Sequence, residues 1–416
     1  MSRGSEEAAG VSKAIDALMR RDGGRLLSNL VSAIRDFQLA EDSLQDALES
    51  AFIHWTRNGL PRSPPAWIMQ TARRKAIDRL RRSANFRAKS DEIAHLIEME
   101  NQSVEDEVEE PIKDERLKLI FTCCHPAIEQ KTRVALTLRS VCGLKTEEIA
   151  DAFLDNHDAM AQRLVRARHK ITAAGIPFEV PGPDGWTERL ESVLAVIYLI
   201  FNEGYASSGG DHIRIDLCEE AIRLGRTLNA LKPKEPEIEG LLSLMLLHHA
   251  RHRARLDSDG AIVSLEDQDR SLWNRGEIAE GGSMVELALK RGRPGPYQLQ
   301  AAIVAIHADS PSFEETDWDE ISLLYGLLCR MSPNPVFDLN RIVAISYNED
   351  PETALAWLET IAPMLTQYQP FHAVQADLLA RLGRNEEAKL SYRLAHDLSQ
   401  TEAERLFFQK KLRQLG

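Results

Sequence analysis

Asp158-Ala159-Met160-Ala161-Gln162-Arg163-Leu164-Val165-Arg166-Ala167-Arg168-His169-Lys170-Ile171 carries the clearest structural signal in this chain of 416 residues. Met160, Leu164, Ala167 and Ile171 recur at i, i+4, i+7 and i+11, the spacing of one buried face of an α-helix. Gln162, Arg163, Arg166, His169 and Lys170 are left pointing outward. Just before it, Thr146-Glu147-Glu148-Ile149-Ala150-Asp151-Ala152-Phe153 forms a shorter helical pattern. Thr146 is its expected N-cap, and Glu147 and Glu148 complement the helix dipole. Two helices separated by a short break make a helix-turn-helix. The second helix of such a pair fits a major groove, where Arg pairs with guanine and Gln with adenine. Regulators of many classes share this motif, so its surroundings must supply the specificity.

The surroundings are strongly charge-patterned. The whole chain is acidic, with 51 Lys and Arg against 64 Asp and Glu and a formal charge of -13. That total argues against a protein that holds DNA unaided, but the distribution is uneven. Arg57, Arg62, Arg73, Arg74, Lys75, Arg79, Arg81, Arg82, Arg87 and Lys89 are opposed only by Asp78, and the stretch from Asp91 to Glu115 is densely acidic. A chain arranged in this way can bind nucleic acid locally. The Gly59 to Pro65 loop, that acidic stretch, and the prolines at 177, 181 and 183 are the natural boundaries.

Helical spacing recurs almost everywhere and strand signals are scarce, which predicts an all-α protein. One amphipathic helix is expected over Arg35 to Phe52, with Leu44, Ala47, Leu48 and Ala51 on its apolar face and Asp42, Gln45, Asp46 and Glu49 opposite. Another runs through Trp67-Ile68-Met69-Gln70-Thr71-Ala72-Arg73-Arg74-Lys75-Ala76-Ile77-Asp78-Arg79-Leu80-Arg81-Arg82, where Ile68, Ala72, Ala76 and Leu80 form the stripe. Guanidinium groups suit phosphate oxygens, and Gln and Trp suit unstacked bases. Trp55 and Trp67 read as core anchors before base-stacking platforms.

Together these segments resemble region 2 of the extracytoplasmic-function RNA polymerase sigma factors of the sigma-70 family. The residues that carry the resemblance are Ala40-x-Asp42-x-x-Gln45-Asp46 and the pattern from Trp67 to Arg82. The helix-turn-helix behind them is similar to region 4. The resemblance implies a region 2 helical bundle over 8–90, an acidic linker over 91–114, a region 4 domain over 115–176, and a long C-terminal extension over 186–416. It implies docking on core RNA polymerase, at the β′ clamp and the β flap, and binding to promoter DNA. The clamp contact would be made by Asp36, Leu39, Ala40, Asp42, Gln45 and Asp46. The −10 element would be met by Asn58, Arg62, Gln70, Arg73, Arg74, Asp78, Arg81 and Arg82, with Asn58 to Pro65 as the base-capturing loop. Gln162, Arg163, Arg166, His169 and Lys170 would read the −35 element.

In the extension, Ala376, Gly383, Ala388, Tyr392 and Ala395 resemble one tetratricopeptide repeat, with Gln400 where a closing proline is usual and Asn340 to Leu358 as a degenerate neighbour. Sigma factors with such an extension form a subgroup that this chain resembles from end to end, including Phe201 to Tyr205, Leu265 to Arg270, Gly295 to Ile303, Thr316 to Trp318 and Leu339 to Arg341. Those segments read as buried polar networks that lock helices together before they read as a ligand site. A protein or a small ligand is the expected kind of partner for the extension, which is expected to regulate in cis.

The remaining signals are exclusions. Cys123, Cys124, Cys142, Cys218 and Cys329 are odd in number and contain no CxxC pair, so they suggest core thiols in a reducing cytoplasm. His248, His249 and His252 contain an i, i+4 pair that could hold a metal, but surface histidines are the expectation. There is no phosphate loop, dinucleotide turn or triad spacing, so neither catalytic residues nor cofactors are expected. No signal peptide or membrane-spanning run is visible. The competing class is a helix-turn-helix regulator with a repeat sensor domain that acts without docking on polymerase.

Overall fold

The computed structural model describes residues 3–82, 115–153, 155–205 and 215–416. Among them every regular element is helical, apart from one isolated bridge between Leu256 and Ile262. The fold is all-α, as the periodicity predicts. The acidic linker over 91–114 lies outside the described residues. Among the described residues no helix is long and apolar enough to cross a membrane.

The chain divides into two compact units, 1–199 and 200–416. In the first, α1 (Arg3–Ile34), α2 (Phe37–Asn58) and α3 (Pro64–Arg82) form a bundle. Local chemistry sets its corners. Asp36 caps α2 by accepting from the backbone N–H of Leu39 at 3.0 Å, so the helix begins after the expected Arg35, which itself takes a left-handed φ of 56°. Gly59, at φ 81°, ends α2 and donates to the Trp55 carbonyl at 2.9 Å. Pro64 and Pro65 open α3, where a missing N–H costs no helical bond. Ala40, Ala47 and Ala51 on α2 and Ala72 and Ala76 on α3 are fully buried, so the helices approach closely along small residues, with Trp55 filling one end.

The rest of the first unit contains α4 (Arg116–Cys123), α5 (Gln130–Ser140), α6 (Thr146–Ala152), α7 (His157–Ala173) and the start of α8 (Pro183–Tyr205). Cys123 and Cys124 are buried free thiols, and burial pushes the Cys124 thiol up to about 11. They are core residues. The start of α8 is fastened to α4: Ser192 donates to the Cys124 carbonyl at 2.6 Å, and Trp186 packs on Phe121 with ring centres 5.3 Å apart.

Sequence suggests two small domains joined by a linker, but here they share one compact unit. The reason lies in two glycines. At Gly143, with φ 73°, a β-carbon would lie 2.4 Å from the Met19 carbonyl oxygen; at Gly24 it would lie 2.6 Å from that of Val141. Backbone therefore meets backbone between α1 and the turn after α5. Ion pairs Lys145–Asp16 (2.7 Å), Arg20–Glu148 (2.7 Å) and Arg168–Glu41 (3.3 Å) surround the contact.

The second unit begins within α8 and continues through α9 (Ile215–Leu231), α10 (Pro236–His249), α11 (Arg275–Leu289), α12 (Pro296–Asp309), α13 (Trp318–Met331), α14 (Pro335–Asn348), α15 (Pro351–Leu365), α16 (Gln369–Arg381), α17 (Asn385–Asp397) and α18 (Glu402–Gln414). Most successive helices pack on one another as hairpins. The turn between α16 and α17 holds Gly383 at φ 75°, and Ala376, Ala388, Tyr392 and Ala395 are buried around it. Asn340 to Leu358 falls on the α14–α15 hairpin.

Several segments without a sequence mechanism acquire one. Glu237 accepts from the backbone N–H groups of Tyr297 and Gln298 at 3.1 and 3.2 Å and from the Gln298 side chain at 3.0 Å, which satisfies the first turn of α12. Arg270 donates to the carbonyls of His307 and Ser310 at the other end of that helix, at 2.8 and 2.7 Å. The histidine expectation is corrected. His249 is 6 % exposed and bonds Glu277 at 2.9 Å, and the His248 ring lies 5.1 Å from that of Tyr205. Desolvation, with Arg251 and Arg255 nearby, holds His248 well below the usual histidine range. His249 is buried in the helix packing, and half-buried His248 packs against Tyr205.

Candidate nucleic-acid interface

Helix α3 presents Arg74, Asp78, Arg81 and Arg82 as exposed residues, with Gln70 and Arg73 half-buried beside them. Asn58 and Arg62 are exposed in and before the loop that leads to α3. The apolar stripe of the same helix is enclosed: Ile68, Ala72 and Ala76 are fully buried and Leu80 is 3 % exposed. The basic face is therefore displayed because the opposite face is committed to the bundle. Arg79 behaves differently. It reaches back to α2, where it contacts Asp46 at 2.8 Å and Asp42 at 3.6 Å.

That pairing bears on the residues assigned to polymerase docking. Asp42 and Asp46 share Arg79, Asp36 caps its helix, and Leu39 is half-buried. Gln45 is exposed. Ala40 is fully buried and offers no surface in this structure. Trp55 is 1 % exposed, and half-buried Trp67 stacks on His54 with ring centres 5.6 Å apart. Sequence periodicity missed a further feature. Phe52, Ile53 and Leu60 are 41, 55 and 55 % exposed around the α2–α3 loop. Such apolar side chains beside a basic face can contact unstacked bases. Phe52 and Ile53 lie on α2 outside its buried stripe, and Leu60 lies in the loop that follows.

In the second module, Met160, Leu164, Ala167 and Ile171 are all buried, as their spacing predicts. Gln162, Arg166, His169 and Lys170 are exposed, but Arg163 is half-buried against Asp155 at 2.7 Å. It must leave that carboxylate to meet a base. Asn156 caps α7, accepting from the backbone N–H groups of Asp158 and Ala159. At α6 the expected cap is corrected. Thr146 is the first helical residue, and Glu148 accepts from the N–H of Lys145 at 2.8 Å instead. Asp151 holds His157 at 2.7 Å across the break between the helices and raises its pKa above the usual histidine value.

Arg168, on the flank of α7, turns away from this face to pair with Glu41 of α2. Burial outweighs the attraction of Arg168 and keeps the Glu41 carboxyl above its ordinary range. A cleft of about 420 Å³ opens beside the pair, bordered by Gln45 and Leu48 on one side and by Lys145 and Glu148 on the other. Gln45 of α2 thus shares a cleft with the start of the helix-turn-helix.

Residues 18–86 match Sigma-70 region 2, and residues 189–289 match a family of unknown function, DUF6596. An uncharacterized protein of Rhizobium meliloti is 43 % identical over 390 residues, which cover 93 % of this chain and 92 % of that protein. No solved structure matches. The chain belongs to the same family as the Rhizobium protein.

Proposed function

We propose that this chain, which carries sigma-70 region 2, is an extracytoplasmic-function type sigma factor that acts in the cytoplasm as a promoter-specificity subunit of RNA polymerase. The observation that carries the proposal is the junction of two features in one unit: a region 2 bundle with an exposed arginine face on α3, and a capped helix-turn-helix with an exposed polar face on α7. In this reading α2 docks on the β′ clamp through Asp42, Gln45 and Asp46, flanked by Asp36 and Leu39. Residues 115–176 serve as region 4, meeting the β flap and the −35 element. Asn58, Arg62, Gln70, Arg73, Arg74, Asp78, Arg81 and Arg82 engage the −10 element. The chain supplies contacts and charge, and covalent chemistry stays with the polymerase.

The second unit acts in this reading as a tetratricopeptide-like extension that regulates the first in cis. Its hairpin succession and the buried small residues of α16 and α17 support the assignment. In vitro transcription with core polymerase and a promoter library is the test, comparing the full chain with Arg81→Ala/Arg82→Ala and Arg166→Ala variants. Promoter-specific transcripts that require core polymerase are expected, and each substitution should weaken them. Tight, sequence-specific duplex binding without core polymerase, and no transcript with it, would favour a conventional helix-turn-helix regulator.

A further inference from the structure

The second unit holds an open-mouthed cavity of about 370 Å³ among α12, α13, α14, α16, α17 and α18, within the usual size range of small-molecule sites. Its walls are rich in aromatic rings. Trp318 and Tyr347 stack with centres 4.4 Å apart, and Phe313 sets its edge against both. Ile321 and Phe407 extend the apolar lining.

Into this lining α16 places a carboxylate. Asp377 keeps 45 % of its side-chain surface accessible, and the nearest basic group, Arg381, stands off at 3.8 Å. The Arg381 guanidinium is occupied elsewhere. It donates to the Ser346 carbonyl and hydroxyl at 2.6 and 2.8 Å and lies over the Tyr347 ring at 4.3 Å. Among the described residues no group donates a hydrogen bond to Asp377. Desolvation accordingly raises its carboxyl above the ordinary range, and its charge in turn adds to the rise at Tyr347 and Tyr392. Glu266 adds a second carboxylate to the lining, and Lys411 is its one basic side chain. Lys411 lies over Phe407 at 5.6 Å and makes no ion pair with Asp377. His307, also in the wall, is held near a pKa of about 4 by burial beside Arg251 and Arg270, so it contributes no positive charge at neutral pH.

We propose that this cavity binds a small organic ammonium ligand with an apolar body, its charge received by Asp377 and its body by Phe313, Trp318, Ile321 and Phe407. Asp377 receives no hydrogen bond from the described residues and only a 3.8 Å ion pair from Arg381, and an ammonium group would supply a direct charge-assisted bond. Aromatic walls favour the same ligand, because ring faces attract cations and ring bodies cover apolar carbon. The site lies within the second unit, and its test reads binding directly.

The probes are phenethylamine, its neutral analogue phenethyl alcohol and the anionic 3-phenylpropanoate, titrated calorimetrically into the full chain. The amine should bind about tenfold more tightly than the alcohol, the equivalent of roughly 1.4 kcal/mol. Asp377→Asn should remove that preference while leaving binding of the alcohol unchanged. Binding should also change tryptophan fluorescence in the native chain and not in Trp318→Phe. Equal affinity for amine and alcohol, preference for the propanoate, or no binding of any probe to the native chain overturns the proposal. So does an amine response that survives both substitutions. The ranking on the native chain stands even if Asp377→Asn fails to fold.

Discussion

Arginine does opposite work on α3 and in the second unit. On α3 the guanidiniums of Arg74, Arg81 and Arg82 are held out to solvent by a helix whose other face is buried. In the second unit Arg255, Arg270 and Arg381 turn inward and donate to carbonyls at the ends of α8, α12 and α14. Helix C-termini expose unsatisfied carbonyls and carry partial negative charge, so they can replace a carboxylate as the partner of a half-buried cation. Arginine density therefore points to nucleic acid only where the neighbouring stripe explains why the charge stays outside.

The comparison can be broken most forcefully where neither kind of arginine is involved. Gly143→Val combines a left-handed φ with a backbone clash against Met19, so it should cost the first unit about 3–5 kcal/mol. Thermal unfolding that leaves the first unit unchanged would refute the backbone contact. Next in size, Arg270→Ala removes two charge-assisted bonds from the end of α12 and should lower stability by about 2–4 kcal/mol. Denaturant titration would read the loss.

The outward arginines should show the reverse pattern. Arg81→Ala/Arg82→Ala should leave stability within about 0.5 kcal/mol of the native chain. The same pair should weaken promoter complexes with core polymerase and flatten their salt dependence by about one unit of slope per lost phosphate contact. A large fall in melting temperature for this pair would erase the contrast between the units.

The smallest effect concerns pH. Because Asp151 raises the His157 pKa, the contact between the helices of the helix-turn-helix is strongest below the ordinary histidine value and is lost as the pH rises through the raised one. Ring titration by NMR should place His157 above 6.5, and Asp151→Asn should return it toward that ordinary value.

What could be read from sequence followed from how each feature writes itself into residues. A buried stripe leaves a period, so the core faces of α3 and α7 and the Gly383 turn were legible. The exposed arginines of α3 were legible for the same reason. Contacts between distant segments leave no period. Nothing in the sequence around Gly24 or Gly143 announces that each admits a backbone from elsewhere, so the two small domains read as separate bodies. Charge pattern alone does not distinguish Arg79, which pairs with carboxylates of α2, from the exposed arginines beside it, and Ala40 sits in the motif although it is covered. The histidines at 248 and 249 read as surface residues because the rings and carboxylate that enclose them come from other helices.

The glycine contacts between α1 and the turn after α5 carry a consequence for how this joint can open. Side chains that touch across an interface can slide, swap rotamers and yield by degrees. Two main chains in van der Waals contact have no such latitude, and a small displacement forfeits the fit. Opening such a seam costs most of its fit at the first small separation, where a joint of side chains alone would loosen gradually.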